Sequence, residues 1–351
     1  MARNYGMSDA RVIDADGHVV EIGTTFRDFL DEPYRTRSRH YESELALVPT
    51  DGFDRNLGDK FKKSGGSTAR GWLDALDLGG LELAVLYPSL GLHLGFARDP
   101  DLAVAFCRAH NKWLHEVICS NGEGRLLGAC LLPPHDPAEA AAELRRVSAE
   151  TDFVAAMLPA DGAYLLGHRD LNPVYEAAAE SDMTVAIHAG IANLGPGLEL
   201  FPKFIQAHTI AHPFGILRQF TSMMFEGVFE QFSQVRFAFL ECGGTWVPWY
   251  LDRMDEEYRL RGAEEAPKLS RPPSEYVGIG RQIFFGIEAD ERMLPQTMSA
   301  VADDIFMYAS DWPHWDHEYP GSLDQILNRT DLDEVQRENI LGGAARRCYR
   351  L

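Results

Sequence analysis

The chain has 351 residues, with 33 basic against 53 acidic side chains and a formal net charge of −20. That balance repels phosphate backbones and anionic lipid surfaces, so it argues against nucleic acid or membrane as the partner and for a small-molecule substrate. Hydrophobic residues at 45% and charged residues at 25% describe a folded chain with ample core material and exclude intrinsic disorder.

No apolar run approaches the roughly 18 residues of a membrane span. The polar start Met1-Ala2-Arg3-Asn4-Tyr5-Gly6 shows no secretory signal. The five cysteines, Cys107, Cys119, Cys130, Cys242 and Cys348, are scattered and form no CxxC pair. Neither a disulfide framework nor a zinc knuckle is expected, and the reading is a reduced, cytoplasmic protein.

In chain order, apolar runs rich in Val, Ile, Leu and Phe predict strands over 11–16, 83–87, 125–132, 153–158, 184–188, 236–241, 282–287 and 304–309. Helical patterns lie between them. Asp136-Pro137 sets an N-cap and first-turn proline before a helix over 138–146, and Asn172-Pro173 does the same before 174–179. Near-continuous apolar strands alternating with helices predict a parallel sheet covered on both faces. A (β/α)8 TIM-like barrel and a doubly wound α/β sheet both satisfy this periodicity.

The mean spacing of about 42 residues per strand exceeds the roughly 31 of a 250-residue barrel. The excess falls at 20–80 and 190–235, which predicts insertions after strands 1 and 5 within one domain spanning 1–351. Such segments build lids, substrate walls or subunit contacts. Ser64-Gly65-Gly66-Ser67, in the first, reads as a mobile loop.

Chemistry gathers at the strand ends, the face that carries the active site in barrels. Strand 1 runs into Asp14-Ala15-Asp16-Gly17-His18. An extended Asp-x-His sets Asp16 and His18 on one side, where two donors can grip a divalent ion; a plain turn with Asp and Gly is the alternative. Strand 5 closes on His188, which a core hydrogen bond would equally explain. Strand 8 is followed by Ser310-Asp311-Trp312-Pro313-His314, and Asp311 could instead cap a helix. Two imidazoles and two carboxylates suit Zn²⁺, with Mn²⁺ or Fe²⁺ open. No Walker loop, HExxH or G-x-S-x-G elbow is present.

Together these pieces resemble the amidohydrolase superfamily, in particular the branch that includes aminocarboxymuconate-semialdehyde decarboxylase and the resorcylate-type decarboxylases. The matching segments are Ile13-Asp14-Ala15-Asp16-Gly17-His18, Ile187-His188, Phe239-Leu240-Glu241-Cys242-Gly243-Gly244-Thr245-Trp246-Val247-Pro248, Ser310-Asp311-Trp312-Pro313-His314 and Asn339-Ile340-Leu341-Gly342-Gly343-Ala344-Ala345-Arg346, in the family's order. The resemblance implies a barrel with one catalytic divalent ion, Zn²⁺ foremost, held by Asp16, His18, His188 and Asp311. It also implies a homodimer or higher homo-oligomer, with the 190–235 insertion as the contact. Strand 4 ends in Met157-Leu158-Pro159, without the lysine of a carbamate-bridged binuclear site.

One departure matters. The decarboxylases of the branch carry a histidine at the end of strand 6, where this chain has Glu241. An anionic glutamate repels a carboxylate substrate, so the reading leans to a hydrolase of a small amide, lactone or ester using a metal-activated water. A decarboxylase of a small aromatic or unsaturated carboxylic acid is the alternative, and a non-catalytic binding protein on the same fold is a third. Asp311 would be the acid/base, assisted by Glu241 or by His212, which would supply the absent imidazole. Glu241 could otherwise bond the amides of the Gly243-Gly244 loop. His314 is read as a partner that orients a ligand or lines the site, Arg253 as a substrate contact or a helix-surface arginine, and Trp312 as part of an aromatic wall with Trp246, Trp249 and Trp315 or as packing under the loops.

Overall fold

Eight apolar runs become eight parallel strands: β1 (Ile13–Val19), β2 (Leu83–Pro88), β3 (Leu126–Leu131), β4 (Phe153–Pro159), β5 (Thr184–His188), β6 (Phe237–Leu240), β7 (Ile283–Ile287) and β8 (Phe306–Tyr308). The computed structural model describes residues 12–21, 27–36, 65–190 and 197–351. The strands pair strictly in chain order, 1 to 8. The two ends of the sheet then meet: Asp311 N–H donates to the Asp16 carbonyl (3.0 Å) and His18 N–H to the Trp312 carbonyl (2.8 Å). The buried Asp14 carboxylate ties the same seam, accepting from Ser310 N–H (2.9 Å) and Ser310 Oγ (2.5 Å). A doubly wound sheet would reverse its strand order at a switch point. This is a (β/α)8 TIM-like barrel.

Most strand limits shift by a residue or two from the sequence expectation, and two of these shifts bear on the site. β1 continues to Val19, so His18 lies within the strand. Gly17 permits this: a Cβ there would lie 2.3 Å from Trp72 Cη2, and Trp72 caps the strand by donating from Nε1 to the His18 carbonyl (3.0 Å). β8 stops at Tyr308, because Ser310 turns to Asp14 and Asp311 adopts a left-handed φ of 51°.

The helices that alternate with the strands are α1 (Ala69–Gly79), α2 (Pro100–Trp113), α3 (Pro137–Val147), α4 (Asn172–Ser181), α5 (Phe204–Phe225), α6 (Val247–Glu265), α7 (Leu294–Ala300) and α8 (Gly321–Asn328). Asp136 caps α3 through Ala138 and Glu139 N–H, as its position predicts. α4 corrects the parallel expectation for Asn172, which is the first helical residue. A short 3-10 turn, Arg169–Leu171, runs straight into α4, so the start signal lies upstream at His168, whose side chain accepts from Asp170 N–H.

The excess residues sit where expected, after β1 and β5. Gly65–Ser67 is a docked turn rather than a free loop: Val20 N–H donates to the Gly66 carbonyl (3.3 Å), and a Cβ on Gly66 would fall 2.4 Å from Pro313 Cγ. Ser64 lies outside the described residues. After β5 comes the 22-residue α5. Its Phe220 meets Phe239 edge-on at 5.0 Å and Trp246 at 5.6 Å, in a cluster with Phe229 and Phe285. Burying such rings contributes about 2 kcal/mol each, and this cluster seats α5 on β6 and β7. No helix among the described residues is long and apolar enough to cross a membrane.

Candidate metal centre

His18 is fully buried and points inward at the C-terminal rim. Its Nδ1 lies 3.1 Å from the Pro88 carbonyl. A carbonyl only accepts, so Nδ1 carries the hydrogen and the Nε2 lone pair is presented to the cluster. That Nε2 has no hydrogen-bond partner. It sits 3.5 Å from Asp16 Oδ1 and 3.4 Å from Asp311 Oδ1. Two ligand atoms about 2.1 Å from one tetrahedral ion lie about 3.4 Å apart, so these separations fit a shared cation.

His188 follows the same pattern. Its Nδ1–H donates to the Ala189 carbonyl (2.7 Å), and Nε2 approaches Asp16 Oδ1 at 2.9 Å. The structure therefore brings Asp16, His18, His188 and Asp311 together from strands 1, 5 and 8. With Glu241 and His314 beside them, their donor atoms form two overlapping groups around His18, each within 4.8 Å. Burial, followed by the positive fields of His314 and His188, holds the His18 imidazole well below its ordinary value, so it is neutral, as a ligand must be. Burial pushes Asp16 and Asp311 upward, with Glu241 adding to both. A dication would reverse that cost.

Glu241, in a left-handed turn at φ 60°, faces two imidazoles: Oε2 is 3.2 Å from His188 Nδ1 and Oε1 is 3.5 Å from His314 Nδ1. Burial raises its pKa, but His212, His188 and His314 together hold it well below the carboxylate range. His314 Nδ1 is 2.6 Å from Asp311 Oδ1, and its ring stacks on His18 at 3.9 Å. His212 and His208, one turn apart on α5, line a cavity of about 320 Å³ with Glu241, Asp311, Glu288 and Asp316.

The family model for amidohydrolases matches residues 81–351. The chain belongs to the amidohydrolase family. β1, with Asp16 and His18, precedes the matched span. Over 253 residues this amidohydrolase is 23% identical to 2-amino-3-carboxymuconate-6-semialdehyde decarboxylase of Dictyostelium discoideum, covering 72% of this chain and 68% of that protein. An amidohydrolase from Mycobacterium avium subsp. paratuberculosis superposes with a TM-score of 0.79 at 18% identity, covering 98% of this chain and 100% of that one. A 5-carboxyvanillate decarboxylase from Novosphingobium aromaticivorans, complexed with manganese and 4-hydroxy-3-methoxy-5-nitrobenzoic acid, superposes at 0.71 with 16% identity, covering 98% and 97%.

Other sequence candidates lie elsewhere in this amidohydrolase. Arg253 is half-exposed on α6 and pairs with Glu256 and Glu257 of its own helix, so it is a surface arginine. Trp312 packs edge-on against Trp72 at 4.5 Å, and its backbone meets the site: the carbonyl accepts from His18 N–H and the N–H donates to Ser310 Oγ (3.0 Å). Trp246 lies in the aromatic pack and Trp249 is exposed, while Trp315 lies beside His208 at 5.6 Å. The Gly243-Gly244 loop is held by Glu291 instead of Glu241: its carboxylate accepts from Gly244 and Thr245 N–H.

Sequence reasoning missed Asp14, Glu21, Ser89 and Glu291. Asp14 had a signal, since it shares a strand face with Asp16. Glu21 and Glu291 grip backbone amides from distant segments, and amides leave no trace in residue types.

Proposed function

We propose that this amidohydrolase is a divalent-metal-dependent decarboxylase of a small aromatic or unsaturated carboxylic acid. The observation that carries the reading is the convergence of Asp16, His18, His188 and Asp311 around a buried imidazole nitrogen with no partner. Relatives named as decarboxylases favour carboxyl loss over the hydrolysis expected from Glu241. The hydrolase reading rested on Glu241, which stands where the branch carries an imidazole and repels a carboxylate when ionised. His314, stacked on His18 and paired with Asp311, puts an imidazole at the site from the loop after β8.

A bound dication, held by the four ligands, would anchor the substrate's oxygens and draw electron density as the carbon–carbon bond breaks. Two nitrogen and two carboxylate donors accept Zn²⁺ or Mn²⁺ alike, and the manganese in the related decarboxylase makes Mn²⁺ the first ion to test. Asp311 reaches the cavity with a side chain 20% exposed, and its contact with His314 keeps a proton at hand. In the proposed step Asp311 gives that proton to the ring carbon bearing the carboxylate. The bond to the carboxyl carbon then breaks, its electrons return to the ring, and CO₂ leaves. Glu241 balances the charge on His314 and His188 as the proton moves.

The cavity wall adds Glu288, Asp290, Asp316 and Glu318, with no Lys or Arg among its described residues. This favours substrates with one carboxylate over dianions. The test is a panel of phenolic and unsaturated acids, lactones and amides in ¹⁸O water. Decarboxylation gives CO₂ and solvent hydrogen on the vacated carbon. Solvent oxygen in a product without CO₂ would restore the hydrolase reading.

A further inference from the structure

We propose that Glu21 is a positioning residue that aims both His18 and His314 by clamping the tip of β2; the inference rests on the metal-centre reading above. Glu21 lies three residues past His18, and its carboxylate is fully buried. Burying a carboxylate is strongly unfavourable unless donors surround it. Here Oε2 accepts from Ser89 N–H (3.1 Å) and Leu90 N–H (2.9 Å), and Oε1 from Gly91 N–H (3.3 Å). The equally buried His110 of α2 lies alongside, its Nδ1 3.2 Å from Oε1 but outside hydrogen-bond geometry. Three successive amides converging on one carboxylate form an anion nest. They fix the backbone where β2 turns outward.

Both imidazoles hang from this tip. The Pro88 carbonyl accepts from His18 Nδ1, which leaves Nε2 for the ion. The next residue, Ser89, sets its Oγ 3.1 Å from His314 Nε2, while His314 Nδ1 faces Asp311. A hydroxyl can donate to a neutral imidazole or accept from a charged one, so Ser89 holds His314 in both states. The stacking of the two rings follows from their attachment to adjacent residues. Glu21 touches neither ring. It acts through the chain.

The experiment titrates Mn²⁺ into chelator-treated protein by calorimetry and reads histidine ¹⁵N shifts in the metal-free state. Glu21→Gln keeps the size but replaces one acceptor oxygen with an amide donor. The Mn²⁺ dissociation constant is expected to rise 10–100-fold, in the range of changes to groups that orient metal ligands, and the His18 shifts to report mixed tautomers. Glu21→Asp keeps the charge but shortens the reach, and is expected to weaken Mn²⁺ about tenfold; it serves if the glutamine variant does not fold. Leu144→Ala, a buried cut in α3, is expected to lower Tm without changing either readout. Wild-type Mn²⁺ affinity and a single His18 tautomer in both Glu21 variants would overturn the proposal. Wild-type protein that takes up no Mn²⁺ would remove the metal reading instead, and the metal-free tautomer shifts would still decide whether Glu21 positions His18.

Discussion

Gly17→Ala tests how the strand that carries Asp16 and His18 is packed. A Cβ at position 17 would stand 2.3 Å from Trp72 Cη2 and 3.0 Å from Asp14 Oδ2. Carbon–carbon contacts need about 3.5 Å, so one group must move by roughly 1 Å. Trp72 has little freedom: it is 1% exposed, bonds to the His18 carbonyl and packs edge-on against Trp312. Asp14 is held by three donors at the β1–β8 seam. The strain therefore falls on β1 and displaces Asp16 and His18, which flank the substitution. Overpacking of this kind costs about 1–3 kcal/mol, and misplacing two ligands should weaken the ion by about 10–100-fold. Urea titration of the metal-free protein reads the first quantity, and Mn²⁺ calorimetry reads the second. Wild-type values for both would refute the packing argument, because they would mean that the strand adapts without moving its ligands.

Further expectations follow from the same geometry. Asp161, buried after β4, is pushed up to about 7 by burial, against the opposing Gly190 hydrogen bond and Arg218 charge. An acid with a raised folded pKa keeps its proton longer when folded, so its contribution to stability falls as pH rises from about 4 to 7, by about 4 kcal/mol at most. Asp161→Asn should therefore gain on wild type between pH 5 and 8 in urea titrations; a constant difference across that window would show that the carboxylate is not penalised. Glu241→Gln should lower kcat about 10²-fold or more while metal content holds, and an unchanged kcat would show that Glu241 does not balance the charge as the proton moves. Arg253→Ala, which breaks only exposed pairs, should change stability by less than about 0.5 kcal/mol and leave kcat/KM unchanged; a fall in kcat/KM would return Arg253 to the substrate site.

The barrel was legible because each strand is a short apolar run that ends in polar residues. Residues 184–188 even carry the observed limits of β5. The convergence of Asp16, His18, His188 and Asp311 was legible for the same reason, since strand ends are where a barrel gathers its polar side chains. What escaped was long-range. Gly17 read as a turn residue, but it makes room for Trp72, 55 positions away in the chain. Glu241 read as the loss of an imidazole, because nothing in the chain shows that His314 stacks on His18. Glu21 and Glu291 hold amides that belong to other loops. Arg253, twelve residues past Glu241, was open to two readings, a substrate contact or a helix-surface arginine, and its pairing on the solvent side of α6 decides for the second.

The central claim is that one cation sits among Asp16, His18, His188 and Asp311. Anomalous diffraction at the manganese edge, from crystals grown with Mn²⁺, tests it most directly. A single peak within about 2.3 Å of donor atoms from all four side chains is the predicted result. A peak elsewhere, or none at this cluster under saturating Mn²⁺, would contradict it.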